Sequence, residues 1–183
     1  MKKFNKDFIM ETERLFVKIP DYSHAKYFFE LIDENVSKFM VWSLLSSPES
    51  YYGLIDDRIE LAEKGIRWDA IIIEKQSGNM IGNFGVVVYD ESINGIELGY
   101  WLGVDYQGKG YITECVEKIK KIGFDDFGYN RILIKATKEN ISSTNVAKRC
   151  GFHFDGVLRN DAYIKGKYVD KAYYTFLKEE YIK

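Results

Sequence analysis

The chain has 183 residues, of which 46% are hydrophobic and 16% aromatic, which is enough for one domain with a sizeable core. Its formal net charge of −2 argues against a global positive field that would attract nucleic acid or an anionic membrane. Two cysteines and two histidines, without metal-ligand spacing, argue against a disulfide scaffold and a metal site. We therefore expect a single domain over residues 1–183, with no nucleic-acid partner and no metal.

The first residues, MKKFNKDFIMETERL, contain two lysines at the start but lack the apolar segment of a signal peptide. No apolar run in the chain approaches the roughly 20 residues of a membrane helix. We therefore expect a cytoplasmic protein with no membrane partner.

The first half of the chain predicts a strand, two helices and an antiparallel meander. A strand over 14–19 ends at Pro20, and Asp21 is placed to cap the helix that follows. Ser47 and Pro48 begin a second helix. Three strands separated by the turns KQSGN and DESING come next, at 68–74, 80–89 and 96–102.

The second half adds two helices and three strands. Apolar residues recur at helical spacing after the meander, at Ile112, Cys115, Val116, Ile119 and Ile122. A strand over 131–137 and a short helix over 142–150 follow, and the tail predicts two paired strands that turn near Gly166. Because strands are flanked by both early and late helices, the pattern predicts an α/β fold with a mixed sheet.

The junction between the last meander strand and the next helix is rich in glycine, with the sequence Gln107-Gly108-Lys109-Gly110-Tyr111. The first turn of a helix leaves N–H groups unpaired, and its macrodipole favours an anion. The two glycines let the backbone approach an oxygen closely, Lys109 adds a positive charge, and Gln107 adds a donor. This chemistry suits a pyrophosphate, although the glycines also suffice for a tight helix start. A Walker loop is absent, because the spacing of the glycines and the Gly-Lys-Ser/Thr ending do not occur here. A dinucleotide-binding fingerprint is also absent, because Thr113 stands where its third glycine would be.

Two longer segments place this junction in context: ELGYWLGVDYQGKGYITE and, further along, NISSTNVAKRCGF. Together they resemble the GNAT superfamily of acetyl-CoA-dependent N-acetyltransferases, and most of all its ribosomal-protein N-terminal acetyltransferase branch. The family loop Gln/Arg-x-x-Gly-x-Gly/Ala is matched at Gln107 and Gly110, whereas Ile112 stands where a small residue is usual. The resemblance extends from about Arg14 to VDKAYYTFLKEEY near the C-terminus. It implies the GNAT fold, a mixed and mostly antiparallel sheet of about seven strands flanked by about four helices.

The resemblance implies acetyl-CoA as co-substrate. The backbone N–H groups from Gly108 to Ile112 are expected to bind its pyrophosphate, assisted by Gln107 and Lys109. The pantetheine arm is expected to pair with the backbone of the preceding strand, whose side chains are expected to be ordinary core residues. A backbone N–H in that strand, freed by a bulge or a splay, is the expected donor to the thioester carbonyl. The full set of expected coenzyme-binding residues is Tyr100, Trp101, Leu102, Gln107, Gly108, Lys109, Gly110, Tyr111, Ile112, Asn140, Ser143 and Asn145.

Acetyl transfer also needs a base for the amine and an acid for the leaving thiolate. Glu97 is the candidate base, because it shares its face of an alternating strand with Gly99 and Trp101. The alternative is an edge carboxylate that faces solvent or pairs with a lysine. Asn140 and Ser143 fit the N-cap and first turn of a helix, and the resemblance implies that Ser143 also donates to the thiolate. That helix has no tyrosine, so Ser143, a water or a tyrosine elsewhere must serve as the acid.

The sequence leaves the acetyl acceptor open. Trp42 is either an aromatic wall of the acceptor site or a cap on the core, and Glu97, Asp161 and Asp170 are placed to attract a cationic amine. The resembled branch suggests a protein N-terminus, such as that of a ribosomal protein, whereas polyamines, amino acids and antibiotics are alternatives. A non-catalytic coenzyme A-binding protein of the same fold is a further alternative, and a homodimer is one option for the assembly.

Overall fold

The computed structural model describes residues 4–181, in which eight strands form one sheet. The strands are β1 (Met10–Glu11), β2 (Leu15–Lys18), β3 (Arg67–Glu74), β4 (Met80–Asp90), β5 (Gly95–Leu102), β6 (Arg131–Thr137), β7 (His153–Ile164) and β8 (Lys167–Leu177). Their order across the sheet is β1-β2-β3-β4-β5-β6-β8-β7. Only the β5–β6 pair is parallel, which confirms the predicted mixed, mostly antiparallel sheet. The additional strand is the two-residue β1, which is too short to give an alternating pattern.

Six α-helices occur between residues 4 and 181: α1 (Ala25–Leu31), α2 (Glu34–Ser37), α3 (Tyr52–Glu63), α4 (Tyr111–Lys121), α5 (Ile141–Arg149) and α6 (Lys178–Tyr181). The sequence indicated four, because α2 and α6 have only four residues each and show no periodicity. Asp21 caps the turn before α1 as predicted, since it accepts a hydrogen bond from the N–H of Ser23 at 2.9 Å. Ser47 occupies its predicted cap position but makes no capping hydrogen bond through its side chain. None of these helices has both the length and the apolar character needed to cross a membrane.

The sheet separates two hydrophobic clusters. One cluster contains Ile96 and Leu98 of β5 together with residues of α4 and α5. The other contains Trp101 of β5 together with residues of α1 and α3, such as Phe28 and Ile55. The predicted alternation of β5 is therefore confirmed: its even-numbered side chains face α4 and α5, and its odd-numbered ones face α1 and α3.

The parallel strands β5 and β6 separate halfway along their length. Their pairing begins at Gly95 opposite Arg131 and ends at Leu98 opposite Ile134. Beyond this point β5 continues to Leu102 paired only with β4, while β6 continues paired only with β8. The backbone of residues 99–102 consequently has no strand partner on its β6 side. The sequence left two alternatives for freeing a backbone N–H in β5, a bulge or a splay. The separation of β5 from β6 is the splay.

Candidate active site

A cleft of about 560 Å³ lies where β5 and β6 separate. Its walls come from the end of β5, the glycine-rich junction, the first turn of α4, one face of α5 and, at one end, α2. Most of the predicted coenzyme-binding residues line it: Tyr100, Trp101, Leu102, Gln107, Gly108, Gly110, Tyr111, Ile112, Asn140, Ser143 and Asn145. Three predicted site residues, Trp42, Glu97 and Lys109, lie outside its lining.

The glycine-rich junction leads into α4, and the first N–H groups of this helix have no hydrogen-bond partner within it. Gly108 and Gly110 have φ values of +75° and +83°, in the left-handed region that favours glycine. The first intrahelical hydrogen bond of α4 runs from the N–H of Glu114 to the carbonyl of Gly110, at 3.0 Å. The N–H groups of the three preceding residues therefore have no partner within the helix. With the macrodipole of α4 behind them, these donors form a site for an anion.

Thr113, the third residue of α4, adds a side-chain donor at the same place. Its hydroxyl oxygen is buried and has no hydrogen-bond partner within residues 4–181, and the residue lines the cleft. Leaving such a group unsatisfied costs about 1–3 kcal/mol, which an acceptor oxygen of a ligand would offset. The donors present therefore fit a diphosphate group. From the sequence, Thr113 was noted only as the residue that replaces a third glycine. Its position three residues after Gly110 was a signal that its hydroxyl lies at the helix start.

Gln107 and Lys109 are placed differently from expectation. The side-chain amide of Gln107 donates to the carbonyl of Leu102 at 3.1 Å, which ties the junction to the end of β5. The Lys109 ammonium lies 5.3 Å from the ring centroid of Tyr106, away from the cleft lining. A positive side chain on the lining is instead Arg149 of α5, which the sequence analysis missed. The sequence does contain a signal for Arg149, because it follows Asn145 by four residues and this spacing places both on one helical face.

The start of α5 connects to β5 through side chains. Asn140 accepts a hydrogen bond from the N–H of Ser143 at 3.2 Å, which confirms the predicted N-cap. The side-chain oxygen of Ser143 lies 3.1 Å from the hydroxyl oxygen of Tyr100. Burial raises the pKa of Tyr100 above its ordinary value, and the contact with Ser143 opposes this only in part. Tyr100 is therefore a neutral hydroxyl at the site, and β5 supplies the tyrosine that α5 lacks.

Glu97 lies on the side of β5 opposite to Tyr100. The sequence left two roles open for it, a catalytic base or a carboxylate that faces solvent or pairs with a lysine. Its carboxylate lies 2.7 Å from the ammonium of Lys135 on β6, so the predicted pairing with a lysine is present. Next to it on the same face, Gly99 has no heavy atom within 4 Å of the position that a Cβ would take. A half-buried carboxylate thus borders open space at the splay, as a base for an incoming amine requires.

The other residues proposed for the acceptor side are already engaged. Asp161 accepts a hydrogen bond from the hydroxyl of Tyr173 at 2.7 Å, and Asp170 accepts one from the N–H of Asn160 at 3.1 Å. Trp42 is half-buried and packs against the cluster that contains Trp101, which places it as a cap on the core. The structure therefore brings together most of the residues predicted to bind the coenzyme, with Lys109 the exception, whereas Trp42 packs against the core cluster, apart from the carboxylates on the acceptor side.

Residues 14–153 match the family model of the acetyltransferase (GNAT) domain. The chain therefore belongs to this family, and it is an N-acetyltransferase. A solved structure, that of the Microcin C7 self immunity acetyltransferase MccE in complex with acetyl-CoA and AMP, is 25% identical and superposes with a TM-score of 0.82. The match covers 90% of this chain and 93% of that one.

Three curated relatives cover most of the chain. An uncharacterized N-acetyltransferase, p20, of Bacillus licheniformis is 29% identical over 93% of this chain and 96% of its own length. The ribosomal-protein-serine acetyltransferase of Escherichia coli is 24% identical over 84% of this chain and 87% of its own length. The spermidine N(1)-acetyltransferase of Vibrio cholerae is 23% identical over 73% of this chain and 79% of its own length. All three relatives are named acetyltransferases, and the two whose names give an acceptor differ in it.

Proposed function

We propose that this chain is a single acetyltransferase domain that transfers the acetyl group of acetyl-CoA to a primary amine, by direct attack in a ternary complex. The proposal rests on one observation, which is that a single cleft is bordered by three groups. These are the N–H groups at the start of α4 that have no partner in the helix, the unsatisfied hydroxyl of Thr113, and the Tyr100–Ser143 pair. The structure of MccE, which contains acetyl-CoA, supports the same co-substrate here.

Each wall of the cleft has a separate role in binding. The N–H groups at the start of α4 and the Thr113 hydroxyl bind the pyrophosphate, and Arg149 adds a positive charge. The unpaired backbone of residues 99–102 binds the pantetheine arm as an added strand would. The bound coenzyme supplies an acetyl thioester, which this arrangement directs toward Tyr100 and Ser143.

The proton transfers are divided between the two sides of β5. A peptide α-amine has a pKa of about 7.7–8.0 and is largely protonated at neutral pH, so it must lose a proton before it attacks. Glu97 accepts this proton. As the C–N bond forms and the C–S bond breaks, Ser143 gives its proton to the departing sulfur and takes up the second proton that the nitrogen loses when the amide forms. The 3.1 Å contact between the Tyr100 and Ser143 oxygens allows the tyrosine to donate, an arrangement that leaves the serine proton directed at the sulfur.

The cysteines support direct attack over an acetyl-cysteine route. Burial raises the pKa of Cys150 to about 12, and burial also raises the pKa of Cys115. Neither thiol therefore forms appreciable thiolate at neutral pH, and thiolate is the nucleophilic form. Neither residue belongs to the lining of the cleft.

The acceptor that these charges favour is the N-terminal amine of a protein, such as a ribosomal protein. A polyamine carries several ammonium groups and needs carboxylates that are free to bind them. Each of the three carboxylates on the proposed acceptor side already has one donor, which leaves it less acceptor capacity for several ammonium groups: Lys135 for Glu97, Tyr173 for Asp161 and the backbone of Asn160 for Asp170. A neutral peptide with one α-amine requires only the single base.

A thiol-release assay with acetyl-CoA tests the proposal against both alternatives. The acceptors are peptides with different first residues, spermidine and free amino acids. We expect the peptides to be acetylated, with a rate that rises as the pH approaches the pKa of the α-amine. Exclusive use of spermidine or amino acids would make this a small-amine enzyme. Binding of coenzyme A without acetylation of any amine would make it a non-catalytic binding protein.

A further inference from the structure

Arg14, at the end of the turn before β2, contacts the glycine-rich junction from outside the cleft. Its Nη1 donates to the carbonyl oxygen of Lys109 at 3.0 Å, across 95 positions of sequence. Its guanidinium carbon lies 4.6 Å from the ring centroid of Tyr111. Its Nη2 lies 3.5 Å from the position that a Cβ on Gly110 would take. Because Arg14 is absent from the cleft lining, it touches the junction without bordering the proposed coenzyme site.

The contact with Lys109 fixes the orientation of one peptide group. In a trans peptide, the carbonyl and the following N–H point in opposite directions. Since the Lys109 carbonyl points at Arg14, the N–H of Gly110 points away from Arg14, and Gly110 itself lines the cleft. This peptide lies between the α-carbons of Lys109 and Gly110, and the positive φ of Gly110 shows that the glycine side of the peptide is conformationally permissive.

Arg14 is itself held by α4. Its Nε lies 2.7 Å from one carboxylate oxygen of Glu114, and its backbone N–H donates to the other at 2.9 Å. The hydroxyl of Thr12 donates to the same carboxylate. Burial acts to raise the pKa of Glu114, but these hydrogen bonds outweigh it and lower the pKa. One guanidinium therefore bridges the first turn of α4 and the loop that precedes it.

We infer that Arg14 is a positioning residue for coenzyme A: by holding the Lys109 carbonyl, it aims the N–H of Gly110 at the pyrophosphate without touching the ligand. The inference rests on the proposed binding of coenzyme A at this junction. A donor that is oriented before the ligand arrives contributes more affinity than one that must be ordered on binding.

The test compares Arg14→Met with the wild-type protein, using two acetyl donors. Acetyl-CoA carries the pyrophosphate, whereas S-acetylpantetheine lacks it. We expect the affinity for coenzyme A, measured by calorimetry, to fall about tenfold or more, with kcat at saturating acetyl-CoA within about twofold. We expect kcat/KM for S-acetylpantetheine to stay unchanged. An equal loss for both donors would show a general structural role and overturn the inference.

Two further variants make the outcome unambiguous. Lys6→Met is the matched control, because Lys6 pairs with Glu63 at 2.6 Å on the surface, away from the Arg14 network. We expect it to keep full affinity for coenzyme A. If Arg14→Met does not fold, Arg14→Lys keeps the charge beside Glu114 but not the planar fork, and it provides the same comparison.

Gly110→Val separates this inference from the proposed function. Loss of affinity in Gly110→Val with full affinity in Arg14→Met would overturn the role of Arg14 and leave the coenzyme site in place. Full affinity in both would place the pyrophosphate elsewhere and overturn the proposed site itself.

Discussion

The hydroxyl oxygen of Tyr100, on β5, lies 3.1 Å from the side-chain oxygen of Ser143, in the first turn of α5. Both residues line the cleft, at the place where the backbone of β5 loses its strand partner. The proposed proton donor to the leaving sulfur is therefore a unit of two residues. In the proposed mechanism Ser143 faces the sulfur, and Tyr100 contacts Ser143 from β5.

The variant Tyr100→Phe tests this arrangement. It removes the hydroxyl but keeps the ring, whose centroid lies 6.2 Å from that of Phe84. We expect kcat to fall about tenfold, less than for loss of a direct proton donor, with little change in KM for acetyl-CoA. Ser143→Ala should lower kcat by about a hundredfold. Because Tyr100 acts through Ser143, the double variant should be no slower than Ser143→Ala alone, and additive losses in steady-state kinetics would contradict this.

The variant Glu97→Gln tests the proposed base. We expect kcat/KM to fall about a hundredfold at pH 7 and to recover partly at higher pH, as the acceptor α-amine loses its proton unaided above about 8. The measurement is the pH profile of kcat/KM with a peptide acceptor. Lys135→Met is the matched control, since it breaks the same ion pair and keeps the carboxylate. If Glu97 serves only as the partner of Lys135, both variants will leave the profile unchanged.

Much of the site could be predicted because its signals are local. The glycines at 108 and 110 have the positive φ values that a tight helix start requires, and Asn140 caps α5 through its side chain, as its residue type indicates. The alternation of β5 likewise predicted which side of the sheet Glu97 faces. In each case the preference of a residue for its own backbone conformation or periodicity agrees with the tertiary structure.

The parts that could not be predicted depend on contacts between distant segments. Arg14 meets Lys109 across 95 positions, and the Tyr100 hydroxyl meets Ser143 across 43. The separation of β5 and β6 depends on how both strands pair with their other neighbours, which neither segment encodes alone. The choice between the two roles left open for Trp42 also depends on the fold, since Trp42 packs against a cluster built from distant segments.

The variant Thr113→Val separates binding from stability. It replaces an unsatisfied buried hydroxyl with a methyl group of similar size, so the protein should unfold at the same or a higher temperature. The affinity for coenzyme A should nevertheless fall about fivefold to tenfold, because the pyrophosphate loses a donor. Thr137→Val is the matched control, since its hydroxyl is also buried without a partner but does not line the cleft. Equal affinities in all three proteins would exclude Thr113 from the site.

The variant Gly110→Val tests the junction as a whole. Its φ of +83° is unfavourable for a β-branched residue, and the added side chain stands beside Arg14. We expect affinity for coenzyme A to fall by well over tenfold in calorimetry. Gly128→Val carries a similar strain, with φ of +71° and open space around the Cβ position, in the loop before β6 and outside the cleft lining. It should lose comparable stability and no affinity, and a loss of affinity there would attribute the effect in Gly110→Val to unfolding.

The contact between Glu114 and Arg14 predicts a particular dependence of stability on pH. Hydrogen bonds hold the pKa of Glu114 in the folded protein below its ordinary value of 4.5. On acidification the unfolded chain takes up this proton first, so the stabilisation is complete above pH 4.5 and is lost as the pH falls through the lower, folded-state pKa. At pH 7, Glu114→Gln should therefore lower the free energy of unfolding by about 1–2 kcal/mol, and this difference should shrink toward zero in denaturant titrations at increasingly acidic pH. Glu117→Gln is the control on the exposed side of α4, where its ion pair with Lys120 at 3.0 Å should contribute less. A difference for Glu114→Gln that stays constant with pH would mean that the charge of the carboxylate does not hold Arg14 in place.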